Sequence, residues 1–125
     1  MKQHSERFLA LVKEAKKNIK EISPEKLKEK IDRNEMLHLI DVRENSEWES
    51  GYIPNAIHLS KGIIERDIEK KIPEPTEQII VYCSGGLRCA LVADTLQKMG
   101  YTNVYSLDTG LQGWVDAGNQ LVNKK

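Results

Sequence analysis

The chain has 125 residues, with 19 Lys and Arg, 19 Asp and Glu, and 39% hydrophobic side chains. That is the size and balance of one globular domain, able to stabilise itself without disulfide or metal staples. Zero formal net charge removes the high-charge signature of disorder. No apolar run approaches the ~20 residues of a membrane helix, and residues 1–10 lack the apolar stretch of a secretory signal. Two cysteines and three scattered histidines make neither a disulfide scaffold nor a zinc site. The expectation is a soluble, cytoplasmic protein with no metal, no organic cofactor and no membrane partner.

Charge is uneven along the chain. Residues 1–34 carry ten basic and six acidic side chains (net +4), residues 35–82 five and ten (net −5), and residues 83–125 four and three (net +1). The basic excess is largely lysine on one expected helix (Lys13, Lys16, Lys17, Lys20), which reads as a solvated face. The anionic middle argues against a nucleic-acid partner, which would require a wider basic footprint.

Phe8, Leu11, Val12, Ala15 and Ile19 recur at helical spacing, so residues 5–18 are expected to form an amphipathic helix packed by one stripe. Ile22 ends a short strand. Ser23-Pro24 then reads as an N-cap with proline at the first helical position, opening a helix to about Ile31. The runs 37–40 and 78–82, with weaker versions at 56–59 and 104–107, are short, apolar and β-branched, as in strands buried on both faces of a parallel sheet. Helical stretches are expected at 46–50, 62–70, 87–99 and 111–117, with Gly100 as a stop. Pro73 and Pro75 mark a loop before the strand at 78–82. Strand–helix alternation of this kind makes an α/β sheet with helices on both faces.

In such sheets ligands sit beyond the carboxyl ends of the strands. There the chain reads Val81-Tyr82-Cys83-Ser84-Gly85-Gly86-Leu87-Arg88-Cys89-Ala90. A strand ends at Cys83, two glycines turn the chain, and a helix begins. Glycines allow successive backbone N–H groups to converge, and a helix N-terminus adds partial positive charge. The nearest anion to be stabilised is the Cys83 thiolate, which such surroundings can bring toward neutral pKa. A lone strand-end cysteine is ordinarily a small buried hydrophobe. The combination of strand, Cys, Gly-Gly, Arg and helix makes Cys83 a candidate nucleophile that needs no histidine base.

This segment resembles the active-site loop of the rhodanese family of sulfurtransferases, whose small members carry Cys-x-x-Gly-x-Arg; Cys83, Gly86 and Arg88 match it. Upstream, Leu39-Ile40-Asp41-Val42-Arg43 is similar to the family's Asp-Val-Arg strand. It is followed by Glu47-Trp48 and by Gly51-Tyr52-Ile53-Pro54-Asn55-Ala56, which resembles Gly-His-Ile-Pro-Gly-Ala. Downstream, Thr109-Gly110-Leu111-Gln112-Gly113-Trp114 resembles the Gly-Gly-x-x-x-Trp ending. The likeness spans about residues 22–121. It implies a three-layer rhodanese-like sandwich around a mostly parallel five-stranded sheet. Residues 20–125 would form this domain, and residues 1–19 an N-terminal amphipathic helical extension.

The resemblance further implies a persulfide mechanism, in which Cys83 takes sulfane sulfur from a donor and passes it to a thiophilic acceptor. The donor would be thiosulfate or a protein or small persulfide. Ser84, Gly85, Gly86, Leu87 and Arg88 would bind the substrate through their backbone N–H groups, and Arg88 would supply charge for an anionic donor or brace the loop carbonyls. The protein is expected to be a monomer or a weak homo-oligomer. Ser84 stands where many relatives carry Arg, which puts thiosulfate in question as donor. Tyr52, Asn55 and Thr109 depart from the family's His and Gly as structural variations. A phosphatase or arsenate reductase on the same fold is the rival enzyme class, but it uses Cys-x5-Arg, and the Cys-x4-Arg loop here is shorter. A non-catalytic interaction module is the other alternative, and it would need neither Cys83 nor Arg88.

Cys89 reads either as a resolving thiol or as a small side chain supporting the loop. The second is favoured, because helix geometry would have to bring both sulfurs together. Asp41 and Arg43, two apart at a strand end and so facing one side, read as members of a structural ion pair, with each other or with Glu47 or Glu49, in preference to a role at the pocket mouth. His38 and His58 are expected to be packed, Trp48 and Trp114 to anchor the core, and His4 to lie in a frayed terminus.

Overall fold

Short runs that are apolar at every position have two faces to bury, and here they meet in one sheet. The computed structural model describes residues 4–123. Its strands β1 (Lys20–Ile22), β2 (His38–Asp41), β3 (Ile57–His58), β4 (Ile79–Tyr82) and β5 (Val104–Leu107) lie in the order β1-β5-β4-β2-β3. Every pair is parallel. Six helices join and flank them: α1 (Glu6–Lys16), α2 (Pro24–Asp32), α3 (Asn45–Ser50), α4 (Ile64–Lys71), α5 (Arg88–Lys98) and α6 (Gly110–Asp116). This is the expected α/β sandwich, with a sheet that is parallel throughout.

Alternation along β4 divides the core into two layers. Ile79, Val81 and Cys83 pack on one face with Ile64, Ile68 and Ile72 from α4 and its end, and with Cys89, Val92 and Leu96 from α5. Ile80 and Tyr82 pack on the other with Leu27 of α2 and Trp114 of α6. Cys83 thus leaves the sheet on the α4–α5 side. The strands β2, β4 and β5 end in register, with Asp41 opposite Tyr82 and Val81 opposite Ser106. The loops that follow them therefore gather at one edge.

Helix starts follow the sequence signals. Ser5 Oγ accepts the N–H of Phe8, and Ser23 Oγ accepts that of Lys26 with Pro24 beginning α2; each cap is worth about 1 kcal/mol. Two expectations shift. Helix α4 begins at Ile64, because residues 61–63 form a turn whose Ser60 carbonyl accepts from both Ile63 and Ile64. The predicted stripe of α1 is narrower than drawn: Val12 and Ala15 are buried while Leu11 is exposed, since the helix packs chiefly against α5. Asn55, where the family often has glycine, adopts φ +73°, a left-handed conformation that asparagine tolerates.

Asp41 and Arg43 form the expected ion pair, fully within the protein. Arg43 Nη2 donates to Asp41 Oδ2 at 2.7 Å and to the Gly51 carbonyl at 2.6 Å, and both residues are buried. The pair ties the end of β2 to the chain leaving α3. His58 Nε2 lies 2.8 Å from the Arg43 carbonyl, and its ring stacks on Trp48. Removing one partner of a buried pair strands the other. Asp41→Asn is therefore expected to lower unfolding free energy by about 3–5 kcal/mol, read from the urea midpoint at unchanged slope.

Candidate active site at the carboxyl end of strand β4

Residues 83–88 turn from β4 into α5, and their backbone is fixed from behind by α6. Leu111 N–H donates to the Cys83 carbonyl at 2.8 Å and Gln112 N–H to the Ser84 carbonyl at 3.0 Å. With those carbonyls held by α6, the amides farther along the turn face the sulfur. Gly86 N–H points at Cys83 Sγ at 3.3 Å and Cys89 N–H at 3.4 Å. The glycines are steric requirements. A Cβ on Gly86 (φ +94°) would meet the Asp108 carbonyl oxygen at 2.1 Å, and one on Gly110 (φ +64°) would meet the Cys83 and Ser84 carbonyls at 2.6 Å.

Cys83 is almost wholly buried yet lines a cleft of about 680 Å³. Its thiol is held down to about pKa 6, foremost by a hydrogen bond from the Cys89 thiol, then by the Cys89 and Gly86 amides and the charge of Arg88; burial opposes them. The two sulfurs are 3.5 Å apart. Cys89 moves the other way: the hydrogen bond to Cys83 and burial push its pKa well above the usual thiol range. One sulfur is thus a thiolate near neutrality, and its neighbour is the thiol that donates to it. Ser106 Oγ lies 3.1 Å from Cys89 Sγ.

Arg88 is engaged through a carboxylate. Its Nη1 and Nη2 grip Glu47 of α3 at 2.8 and 3.0 Å, and Nη2 also reaches Ser84 Oγ at 3.1 Å. Glu47 further accepts from Ser84 Oγ and from the Glu44 N–H. These bonds, Arg88's first, hold its carboxyl at about pKa 2 despite burial. The guanidinium braces the loop through a carboxylate rather than through carbonyls, and its charge is matched.

Of the residues named from sequence, Cys83, Ser84, Gly85, Leu87 and Arg88 line the cleft, and Gly86 contributes its amide from beneath. Four further residues contribute, of which sequence reasoning had placed only Cys89 beside the loop. Cys89 supplies both an N–H and a thiol, although the sulfurs had been expected to stay apart. Glu47 pairs with Arg88. His4 and Phe8, their rings 5.4 Å apart, form an aromatic wall with Gln112 nearby, although His4 is exposed and precedes α1. Of the other three, Glu47 alone carried a signal, through its place after the Asp-Val-Arg segment. The approach of α1 to the cleft depends on packing against α5.

The rhodanese-like domain family matches residues 23–117. The chain belongs to that family. Among relatives of this rhodanese-like domain, the Bacillus subtilis protein YtwF, a proposed sulfurtransferase, is 38% identical over 96 residues, covering 77% of the chain and 90% of the relative. YrkF of the same species, a proposed sulfur carrier protein, is 35% identical over 99 residues, covering 78% of the chain. The chain spans about half (51%) of YrkF's length. Two solved structures are each 29% identical. One, a Rhodopseudomonas palustris protein of unknown function described as a possible tyrosine phosphatase, superposes with TM-score 0.83 over 97% of this chain and 98% of its own. The other, the Wolinella succinogenes polysulfide-sulfur transferase, gives 0.78 over 93% and 87%.

The opposed thiol pKa values have a direct readout. Alkylation of Cys83 is expected to rise with pH through a midpoint near 6 and level off by neutrality, because only the thiolate reacts, while buried Cys89 stays unmodified. Cys89→Ala removes the leading hydrogen bond, so its midpoint should move upward. A pH-resolved alkylation series with peptide mapping checks both, and an unchanged midpoint in the variant would remove Cys89 from the account.

Proposed function

We propose that this domain is a sulfurtransferase that carries sulfane sulfur as a Cys83 persulfide, fed by an organic or protein persulfide in preference to thiosulfate. The supporting observation is the Cys83 sulfur at the base of an open cleft, accepting the Gly86 and Cys89 amides and the Cys89 thiol. The same donors suit a persulfide, which is anionic near neutral pH. In the loading step the Cys83 thiolate attacks the outer sulfur of R–S–SH and R–S⁻ leaves with the bond pair. In the discharge step a nucleophilic acceptor attacks that outer sulfur and the Cys83 thiolate departs. No redox partner is consumed in either step.

The donor preference follows from charge. Glu47 neutralises Arg88, and Glu44 adds a carboxylate to the cleft lining. A thiosulfate dianion would approach an anionic thiolate with no unmatched lysine or arginine among the described lining residues. Phe8 and Leu87 instead offer an apolar surface to the organic part of a persulfide. The names of YtwF, YrkF and the polysulfide-sulfur transferase all concern sulfur carriage. The phosphatase reading needs a guanidinium free to grip a phosphoryl group, and here that fork is occupied by Glu47.

Intact mass after incubation with glutathione persulfide, a persulfidated desulfurase or thiosulfate tests the reading and separates the donor sources. One added sulfur on Cys83, removed by cyanide, is expected with the persulfides, and none with Cys83→Ser. Sulfur uptake by Cys83→Ser, or aryl phosphate hydrolysis without sulfur uptake, would overturn the proposal. Glu47→Gln unmasks Arg88 and should raise the rate of thiosulfate loading several-fold at low salt, with the gain shrinking as salt is added. An unchanged rate would sink the charge argument.

A further inference from the structure

Cys83 and Cys89 are both unbridged and buried, with their sulfurs hydrogen-bonded at 3.5 Å. We propose that Cys89 is a resolving thiol that attacks the inner sulfur of a loaded Cys83 and releases the carried sulfur as hydrosulfide. This rests on the persulfide reading above and adds a second fate for the sulfur, reductive release instead of transfer to an acceptor.

Three features of the site support it. Cys83 lines the cleft, whereas Cys89 is fully buried and does not. A sulfur delivered from the cleft therefore extends on the open side of Cys83 Sγ, and Cys89 stands on the closed side, where a thiol attacking in line with the S–S bond has to be. Closing from 3.5 Å to a disulfide length of about 2.05 Å asks for a shift of side-chain scale. Ser106 is also fully buried, and its hydroxyl is directed at Cys89 Sγ at 3.1 Å. Neutral sulfur is a weak acceptor, so a buried hydroxyl placed there gains most when that sulfur carries charge during attack. Finally, loading itself relieves the restraint on Cys89. In the unloaded loop the negative charge on Cys83 Sγ keeps Cys89 protonated; in the persulfide that charge sits on the outer sulfur, one bond farther away.

The step balances as Cys83–S–S⁻ plus Cys89–SH giving Cys83–S–S–Cys89 plus HS⁻. An Sγ–Sγ bond forms, and the bond from Cys83 Sγ to the outer sulfur breaks. The outer sulfur leaves with that electron pair and takes up the Cys89 proton. The sulfane sulfur is reduced to sulfide, and the two cysteines are oxidised to a disulfide. Return to the dithiol takes two electrons from an external dithiol.

The test uses the full chain, reduced, desalted and kept free of oxygen, so that the donor's sulfane sulfur is the sole oxidant. After one equivalent of glutathione persulfide and rapid donor removal, sulfide, intact mass and non-reducing peptide maps are followed. The wild-type protein is expected to end two hydrogens lighter, bridged between Cys83 and Cys89, with stoichiometric sulfide released. Cys89→Ser should stay one sulfur heavier, with a persulfide lifetime on the order of tenfold longer. A wild-type persulfide as long-lived as that of the variant, with no bridge, overturns the inference and leaves sulfur carriage standing. Failure of both folded proteins to take up sulfur overturns both. Should Cys89→Ser fold poorly or take up sulfur poorly, because Cys89 also contacts the Cys83 sulfur, the wild-type measurement decides alone: a bridge with sulfide supports the inference, and a persistent persulfide beside a free Cys89 refutes it.

Discussion

The site depends on two hydrogen bonds that never touch the sulfur. The amides of Leu111 and Gln112 hold the carbonyls of Cys83 and Ser84, and that fixes which way the peptide groups of the turn can face. A loop left to itself could present carbonyls to a nucleophile and raise its pKa. Here the first turn of α6 takes those carbonyls, and Gly86 and Cys89 direct their amides at Sγ. Gly86 and Gly110 are the cost of bringing two chain segments this close, since a Cβ at either would overlap a carbonyl of the other segment. The parallel sheet supplies the rest of the frame by ending β4 and β5 at one edge, so that the turns following both strands lie side by side.

A second constraint is charge neutrality at the rim. Arg88 sits one residue before Cys89 at the start of α5 and contributes its field to the thiolate, but its fork is filled by Glu47. The pair is partly exposed, so solvent screening limits its worth to stability. Its structural effect is positional: it ties α3, Ser84 and α5 into one rigid rim. The thiolate then rests mainly on oriented amides and a neighbouring thiol, which stay in place whether or not an ionic substrate is present. An arginine committed in this way is the basis of the donor preference proposed above.

Much of this was legible in the chain because it is written in local signals. Apolar β-branched runs gave the strands, Ser23-Pro24 the start of α2, and Cys83, Gly86 and Arg88 the turn beyond β4. The buried pairing of Asp41 with Arg43 followed from their two-residue spacing on a strand end. What escaped is long-range geometry. Nothing in the local sequence around Cys89 says that its sulfur meets that of Cys83; that depends on the pitch of α5 relative to the turn before it. Nothing in residues 4–8 says that His4 and Phe8 reach the cleft, because their position is inherited from the packing of α1 against α5. Arg88 was recognised as functional, but its partner lies 41 residues away on α3, and its charge was counted as free when it is matched.

The two cysteines show how one local field can assign opposite characters to identical groups. Both are buried, and burial alone would raise both pKa values. Cys83 receives two amides and a thiol hydrogen, which outweigh that penalty; Cys89 faces the resulting negative charge, which adds to it. The asymmetry is therefore self-reinforcing: a thiolate at Cys83 keeps Cys89 protonated, and the proton on Cys89 keeps Cys83 ionised. In the persulfide cycle proposed above, loading would move charge off Cys83 Sγ and so remove the condition that holds Cys89 inert; the pair would be quiet when empty and primed when loaded.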